Sequence, residues 1–166
     1  LWNSSVNVIN DNTPLLSFAL KSQGQKYTAI LDSGAGINCI SEHIVQKHKL
    51  FTYSYDDPMM IGMAIKDKQI SITRYVKLQY KIGQFTDTAN FSVLPGVSQN
   101  DIILGLPWMK RINPSIPNWQ QGDMFVTKTR LNGKIATYKC KAIHTDPYSN
   151  PLNKGENTKI IPPTQA

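Results

Sequence analysis

Cysteine is scarce. Cys39 and Cys140 cannot build a disulfide framework, and Cys39 lies among apolar neighbours as a buried thiol would. A reducing compartment, the cytoplasm, is therefore the simpler expectation. The three histidines, His43, His48 and His144, show no paired ligand spacing with one another or with the cysteines, which argues against a zinc site. No metal and no cofactor are expected. No apolar run approaches the roughly 18 residues of a membrane span, so no membrane partner is expected. The N-terminus lacks the basic patch and apolar core of a secretory signal, and the sequons at Asn3 and Asn90 are given no weight. There is no internal repeat, and Asp-Ser-Gly occurs once. The chain begins at Leu1 rather than Met, and the expectation is a segment of something longer or a processed product.

What is present suits one domain with its own core: 166 residues, 40% of them hydrophobic, with net charge +7. The charge is uneven. Residues 1–125 carry 11 basic and 9 acidic side chains, whereas residues 126–166 carry 7 and 2. That distribution places the excess in a tail and argues against a basic groove on the core. The expected organisation is a loose polar arm over 1–13, a folded domain over 14–126, and a basic, weakly structured linker or tail over 127–166.

Within the domain the text is mostly β-like. Leu15 to Leu20 and Lys26 to Leu31 flank a turn with Gly24, which reads as a hairpin. Ile37 to Ile40 is a short strand. Ser41 stands as the N-cap of a helix that buries Ile44 and Val45 and exposes His43 and His48. Tyr53 to Pro58 reads as an acidic turn. Residues 60–65 and 69–73 flank Lys66-Asp67-Lys68 as a hairpin tip, and Tyr75 to Ile82 alternates with a period of two. Asn90 to Leu94 and the fully apolar Ile102-Ile103-Leu104 are further strands. A short helix with Pro107 in its first turn follows. Ile116 to Trp119 and Met124 to Val126 suggest a last hairpin around Gly122, and Leu131 to Ala142 a weak one around Asn132-Gly133. Trp108, Met59, Met60 and Met63 read as core, with flap-side pocket lining as the alternative for the methionines.

The chemistry centres on Tyr27-Thr28-Ala29-Ile30-Leu31-Asp32-Ser33-Gly34-Ala35-Gly36. An apolar strand delivers a carboxylate to a turn built only of small residues. Alone, Asp32 in such a turn is as readily structural, accepting backbone N–H bonds. The second strand-then-glycine stretch, Asp101-Ile102-Ile103-Leu104-Gly105-Leu106-Pro107-Trp108-Met109, changes that reading. With Ala29 to Ala35, the helix Ile40 to Val45, and Asn113-Pro114-Ser115-Ile116 before Trp119, it resembles the retropepsin family, the aspartic proteases of retroviruses and LTR retrotransposons. The gypsy-type branch is the most similar, over roughly residues 14–126.

The resemblance implies an all-β, closed retropepsin-like barrel with one or two short helices, working as a homodimer. It implies an aspartic endopeptidase that cleaves extended peptide segments of its own Gag-Pol-type polyprotein, in the cytoplasm or within virus-like particles. Asp32 is then the catalytic residue, with Ser33 and Gly34 supporting its loop. Gly34, Ala35, Gly36, Met63, Ala64 and Ile65 bind substrate, and Ile103, Leu104 and Gly105 pack under the site. The hairpin around residues 66–68 is the flap, although its tip lacks the glycines of retroviral flaps. Many retroviral members also bond an Asp after the Ala to an Arg after the later Gly. Here both positions are neutral, Gly36 and Leu106, so no buried charge is orphaned. The alternative is a non-catalytic dimerisation module of a polyprotein whose basic tail contacts nucleic acid.

Overall fold

In a computed structural model that describes residues 15–62, 68–96 and 100–143, the chain opens with a hairpin dictated by its turn. β1 (Ser17–Ser22) and β2 (Gln25–Leu31) pair antiparallel from Ser17↔Ile30 to Ser22↔Gln25. The two turn residues, Gln23 at φ 49 and Gly24 at φ +75, both take the left-handed conformation whose twist matches the flanking strands. β3 (Cys39–Ser41), α1 (Glu42–Lys47), β4 (Tyr53–Gly62), β5 (Gln69–Ile82) and β6 (Phe85–Leu94) follow. Then come β7 (Ile102–Leu104), α2 (Leu106–Ile112), β8 (Met124–Thr129) and β9 (Ile135–Cys140).

β5 closes the barrel. One of its edges pairs with β6 from Tyr75↔Ser92 to Ile82↔Phe85. Its other edge is shared, β4 taking the first half and β1 taking Lys81 and Ile82. The ring β1-β2-β7-β3-β6-β5 thereby returns to β1, with β4 attached outside it. Alternation along β5 sends Ile72, Val76, Leu78, Tyr80 and Ile82 inward. Val76, Leu78, Tyr80 and Ile82 meet Phe18, Leu20, Phe91, Ile102, Leu104 and Trp108 in one core. Each such side chain contributes about 1.5–3 kcal/mol by leaving water.

Several expectations change. Tyr53 to Pro58 is no turn: it is the first half of β4, with a register shift between Ser54 and Met59. Pro58 is tolerated because β4 is an outer strand and the shift removes its ladder bond. Residues 69–73 and 75–82 form one strand. Ser41 occupies the cap of α1, yet its hydroxyl donates to the Asn100 carbonyl instead of the helix. His48 is half-buried, its ring edge-on to Tyr27 with centroids 5.3 Å apart. Ile116 to Trp119 forms no strand; a single bridge, Ser115↔Phe125, stands where a hairpin was expected.

The largest change concerns the C-terminal boundary. The compact unit runs from Leu15 to Ile143 rather than ending at 126. β8 pairs β9 from Met124↔Cys140 to Thr129↔Ile135, and Met124, Val126 and Cys140 are fully or almost fully buried in the barrel core. Apolar residues spaced two apart within a lysine-rich text supply that inner face. The stretch past Ile143 and the arm over 1–13 lie outside the described residues, as do Lys66 and Asp67 of the expected hairpin tip. Among the described residues no helix is long and apolar enough to cross a membrane.

Candidate active site

Asp32 stands where β2 ends. Its N–H donates to the Leu104 carbonyl at 3.1 Å, extending the parallel pairing Leu31↔Leu104 by one bond. Its carbonyl accepts the Ala35 N–H at 3.1 Å, and its Oδ1 accepts the Gly34 N–H at 2.9 Å. The carboxylate is thus fixed by backbone on both sides while remaining half-exposed. A Cβ on Gly34 would lie 3.1 Å from Asp32 Oδ1, so the small residue keeps the approach to the carboxylate open. Ser33 is exposed at the turn.

Gly105 is required by close approach. A Cβ there would come within 2.2 Å of the Ile37 carbonyl oxygen and 2.7 Å of that of Ala35. The neighbouring Leu106 N–H donates to the Ala35 carbonyl at 2.8 Å. The start of α2 is therefore pressed against the loop that follows Asp32. Gly36 and Leu106, the two positions expected to lack a charged pair, flank this contact, and both are exposed.

Sequence reading missed Asn38. Gly105 caps α2 without a side chain, leaving first-turn N–H groups in need of acceptors. Asn38 supplies one from another element: its Oδ1 accepts the Gly105 N–H at 3.0 Å and the Trp108 N–H at 3.2 Å. Its carbonyl accepts the Ser92 N–H at 2.9 Å. One residue thereby ties the catalytic-type loop, α2 and β6 together. The signal was an asparagine inside the apolar run Ile37 to Ile40, where a polar side chain needs a partner.

A hydrogen-bonded chain holds the far side of α2. Trp108 Nε1–H donates to the Tyr80 hydroxyl at 2.7 Å, and that hydroxyl donates to Asp87 Oδ2 at 2.6 Å. Arg111 grips Asp87 with two bonds, at 3.0 and 2.6 Å. Burial pushes the Asp87 carboxyl up, but the Arg111 and Tyr80 hydrogen bonds outweigh it and hold the group below its ordinary value. Burial and the bond to Asp87 push the Tyr80 hydroxyl strongly upward, so it stays a donor.

Beside Asp32 opens a cleft of about 430 Å³. The loop contributes Gly34, Ala35, Gly36 and Ile37, the outer hairpin contributes Met60, Ile61 and Gly62, and Cys39, Leu94 and Ile103 complete it. Ile103 was expected to pack under the site; it is half-buried and lines the cleft, while Leu104 is fully buried. Met60, read as core, is 55% exposed at the cleft. Cys39 is buried, as expected, and also borders the cleft. Burial, with the nearby Asp32 charge adding to it, pushes its thiol up to about 11, so it stays neutral. Met63, Ala64 and Ile65 lie outside the described residues.

The arrangement presents one carboxylate at the mouth of an apolar cleft, beneath a β-hairpin. No curated protein matches the sequence. Among solved structures, the retroviral protease-like domain of Ddi1 from Leishmania major has the same fold. It superposes with a TM-score of 0.55 at 15% identity, over 80% of this chain and 96% of that one. The family model of the PEG10/RTL1 protease domain matches residues 28–133, more than half of the sequence, and takes in the Asp32 loop, the Gly105 strand-to-helix junction and the β8 strand; the chain belongs to that retropepsin-like protease family.

Proposed function

We propose that this domain is an aspartic endopeptidase that hydrolyses peptide bonds in a Gag-Pol-type polyprotein of gypsy-type retrotransposon origin, two copies of the chain forming one active site. The observation that carries this reading is the setting of Asp32: its backbone N–H is fixed by the Leu104 carbonyl, its half-exposed carboxylate accepts the Gly34 N–H, and the loop it opens lines an apolar cleft. Among the described residues no second carboxylate accompanies Asp32 beside that cleft. A peptidase of this type needs two, so a C2 dimer brings Asp32 of each copy to the shared axis. In that dimer Ser33, which is exposed at the turn, bonds across the axis and steadies the loop.

The chemistry then follows from elementary electrostatics. Two carboxylates that close share one proton, because both cannot ionise together. The ionised one takes a proton from a water held between them, and the water oxygen bonds to the scissile carbonyl carbon. The protonated one hydrogen-bonds the carbonyl oxygen as it gains charge. Collapse of the tetrahedral species breaks the C–N bond, with a proton passing to the leaving amine. The β4–β5 hairpin covers an extended substrate and excludes water. Gly34 leaves room for its backbone.

The test is cleavage of an extended peptide library by the full chain and by Asp32→Asn. Loss of cleavage in the variant is expected, and cleavage that persists unchanged contradicts the mechanism. The wild-type rate is expected to fall as pH rises from mild acid, as the shared proton is lost. A rate climbing steadily from about pH 5 to 9 contradicts a one-proton pair.

A further inference from the structure

The end of the barrel remote from Asp32 is a basic face. Lys26 and Asp32 stand six residues apart on the β2 path, about 20 Å in an extended strand. At the Lys26 end, Lys21 lies opposite Lys26 on one side and opposite Lys81 on the other. Like charges directly across strands repel, so this row of three cations across β2, β1 and β5 is unfavourable in isolation. The hairpin β8–β9 adds to it. Ala142 bridges Phe18 of β1, and the Lys139 carbonyl lies against Gly83 in the β5–β6 turn. Lys139 and Lys141 thereby join Lys21 and Lys26 around a cleft of about 380 Å³.

The sequence placed the charge excess in a tail. Folding places it on the domain: residues 15–143 carry 16 basic and 8 acidic side chains, net +8. Among the described residues one carboxylate pairs with this group, Asp123, at 3.6 Å from Lys139 Nζ. Asp87 is occupied by Arg111. On the other side of the hairpin, Lys128 donates to the Thr86 carbonyl, next to Lys81 in register. With Arg130 and the half-buried Tyr138 it lines a second cleft, of about 610 Å³.

We infer that these two clefts, one on each side of the β8–β9 hairpin, together bind single-stranded nucleic acid. The lysine cleft takes backbone phosphates, and the Tyr138 cleft offers a ring for base stacking between cations. A purely acidic segment such as polyglutamate would satisfy the lysines equally but brings no planar group to the second cleft, whereas every nucleotide does. This reading is independent of peptidase activity, since it uses the opposite end of the barrel.

The experiment is fluorescence anisotropy of a labelled oligouridylate of about 20 nucleotides, titrated with the full chain across a salt series. The expected wild-type result is binding whose log Kd varies linearly with log salt. The double variant Lys21→Ala with Lys141→Ala weakens binding by about tenfold at low salt and lowers the slope by about 1.4. The charge-matched variant Lys47→Ala with Lys110→Ala, away from the face, leaves both unchanged. Equal losses in the two double variants, or no wild-type binding at low salt, overturn the proposal. So does displacement of the oligonucleotide by polyglutamate at equal charge concentration, which assigns the face to acidic peptides.

Discussion

The two ends of the barrel are built in opposite ways. At the cleft end, charge is sparse and backbone geometry dominates: the Asp32 N–H donates to the Leu104 carbonyl, its carboxylate accepts the Gly34 N–H, and the loop that follows is pressed against a glycine that tolerates no Cβ. At the other end the backbone makes ordinary turns, and lysines from β1, β2, β5 and β9 accumulate on the surface. The first end is specified by positions that admit few residue types. The second is specified by a summed field, to which each lysine contributes a little. Single substitutions should therefore be severe at one end and graded at the other.

The sharpest contrast is Asp32→Asn. It should lower peptide cleavage by about 10²–10⁴-fold while leaving the melting temperature and oligonucleotide affinity nearly unchanged, as measured by peptide assay, calorimetry and anisotropy. Gly105→Ala comes next. Its methyl would meet two backbone carbonyls, and overpacking of this kind costs about 1–3 kcal/mol, with the upper end expected because backbone must move. Denaturant unfolding reads it. A variant as stable as wild type would show that the loop and α2 separate easily.

Asn38→Ala should be next in size. It removes the acceptor for two helix N–H groups and costs about 1–3 kcal/mol. Asn38→Asp, which keeps an acceptor, should recover most of the stability and of the cleavage rate, and equal loss in both variants would show that the acceptor is not what matters. The smallest effect is the acid sensitivity of Asp87. Its folded-state pKa is depressed, so its contribution is present above the ordinary carboxylate value of 3.8 and disappears as pH falls through the folded value. Thermal melts from neutral pH down to about 3 should show wild type losing about 1 kcal/mol more than Asp87→Asn. Parallel curves would remove this pair from the account.

Much of the cleft end was legible because its parts are contiguous in the chain or marked by rare residue types. A strand-end Asp followed by small residues, and an apolar strand running into glycine, both announce close backbone approach. The closed barrel was implied by the resemblance those motifs carry, whereas the period-two text of β5 shows only a strand. Asn38 was illegible because its partners, Gly105 and Trp108, lie far away in sequence. Tyr53 to Pro58 was misread because an outer strand tolerates proline and paired aspartates that local turn chemistry would place in a loop. The hairpin β8–β9 was read only in part for a similar reason: its turn at Asn132-Gly133 was expected, but Met124 to Val126 was assigned to another hairpin and the rest to a tail. Its inner face is only Met124, Val126, Tyr138 and Cys140, diluted among lysines and threonines that dominate the composition. The basic face was hidden with it, since strands distant in sequence meet there only after closure.

The central claim is that one chain holds half of an active site. Mixing wild type with Asp32→Asn in equal amounts, at fixed total protein, tests it directly. If the two forms exchange at random and each pair needs two intact Asp32 carboxylates, cleavage falls to about a quarter of the all-wild-type rate. A fall to only about half, the value for independent protomers, would contradict it.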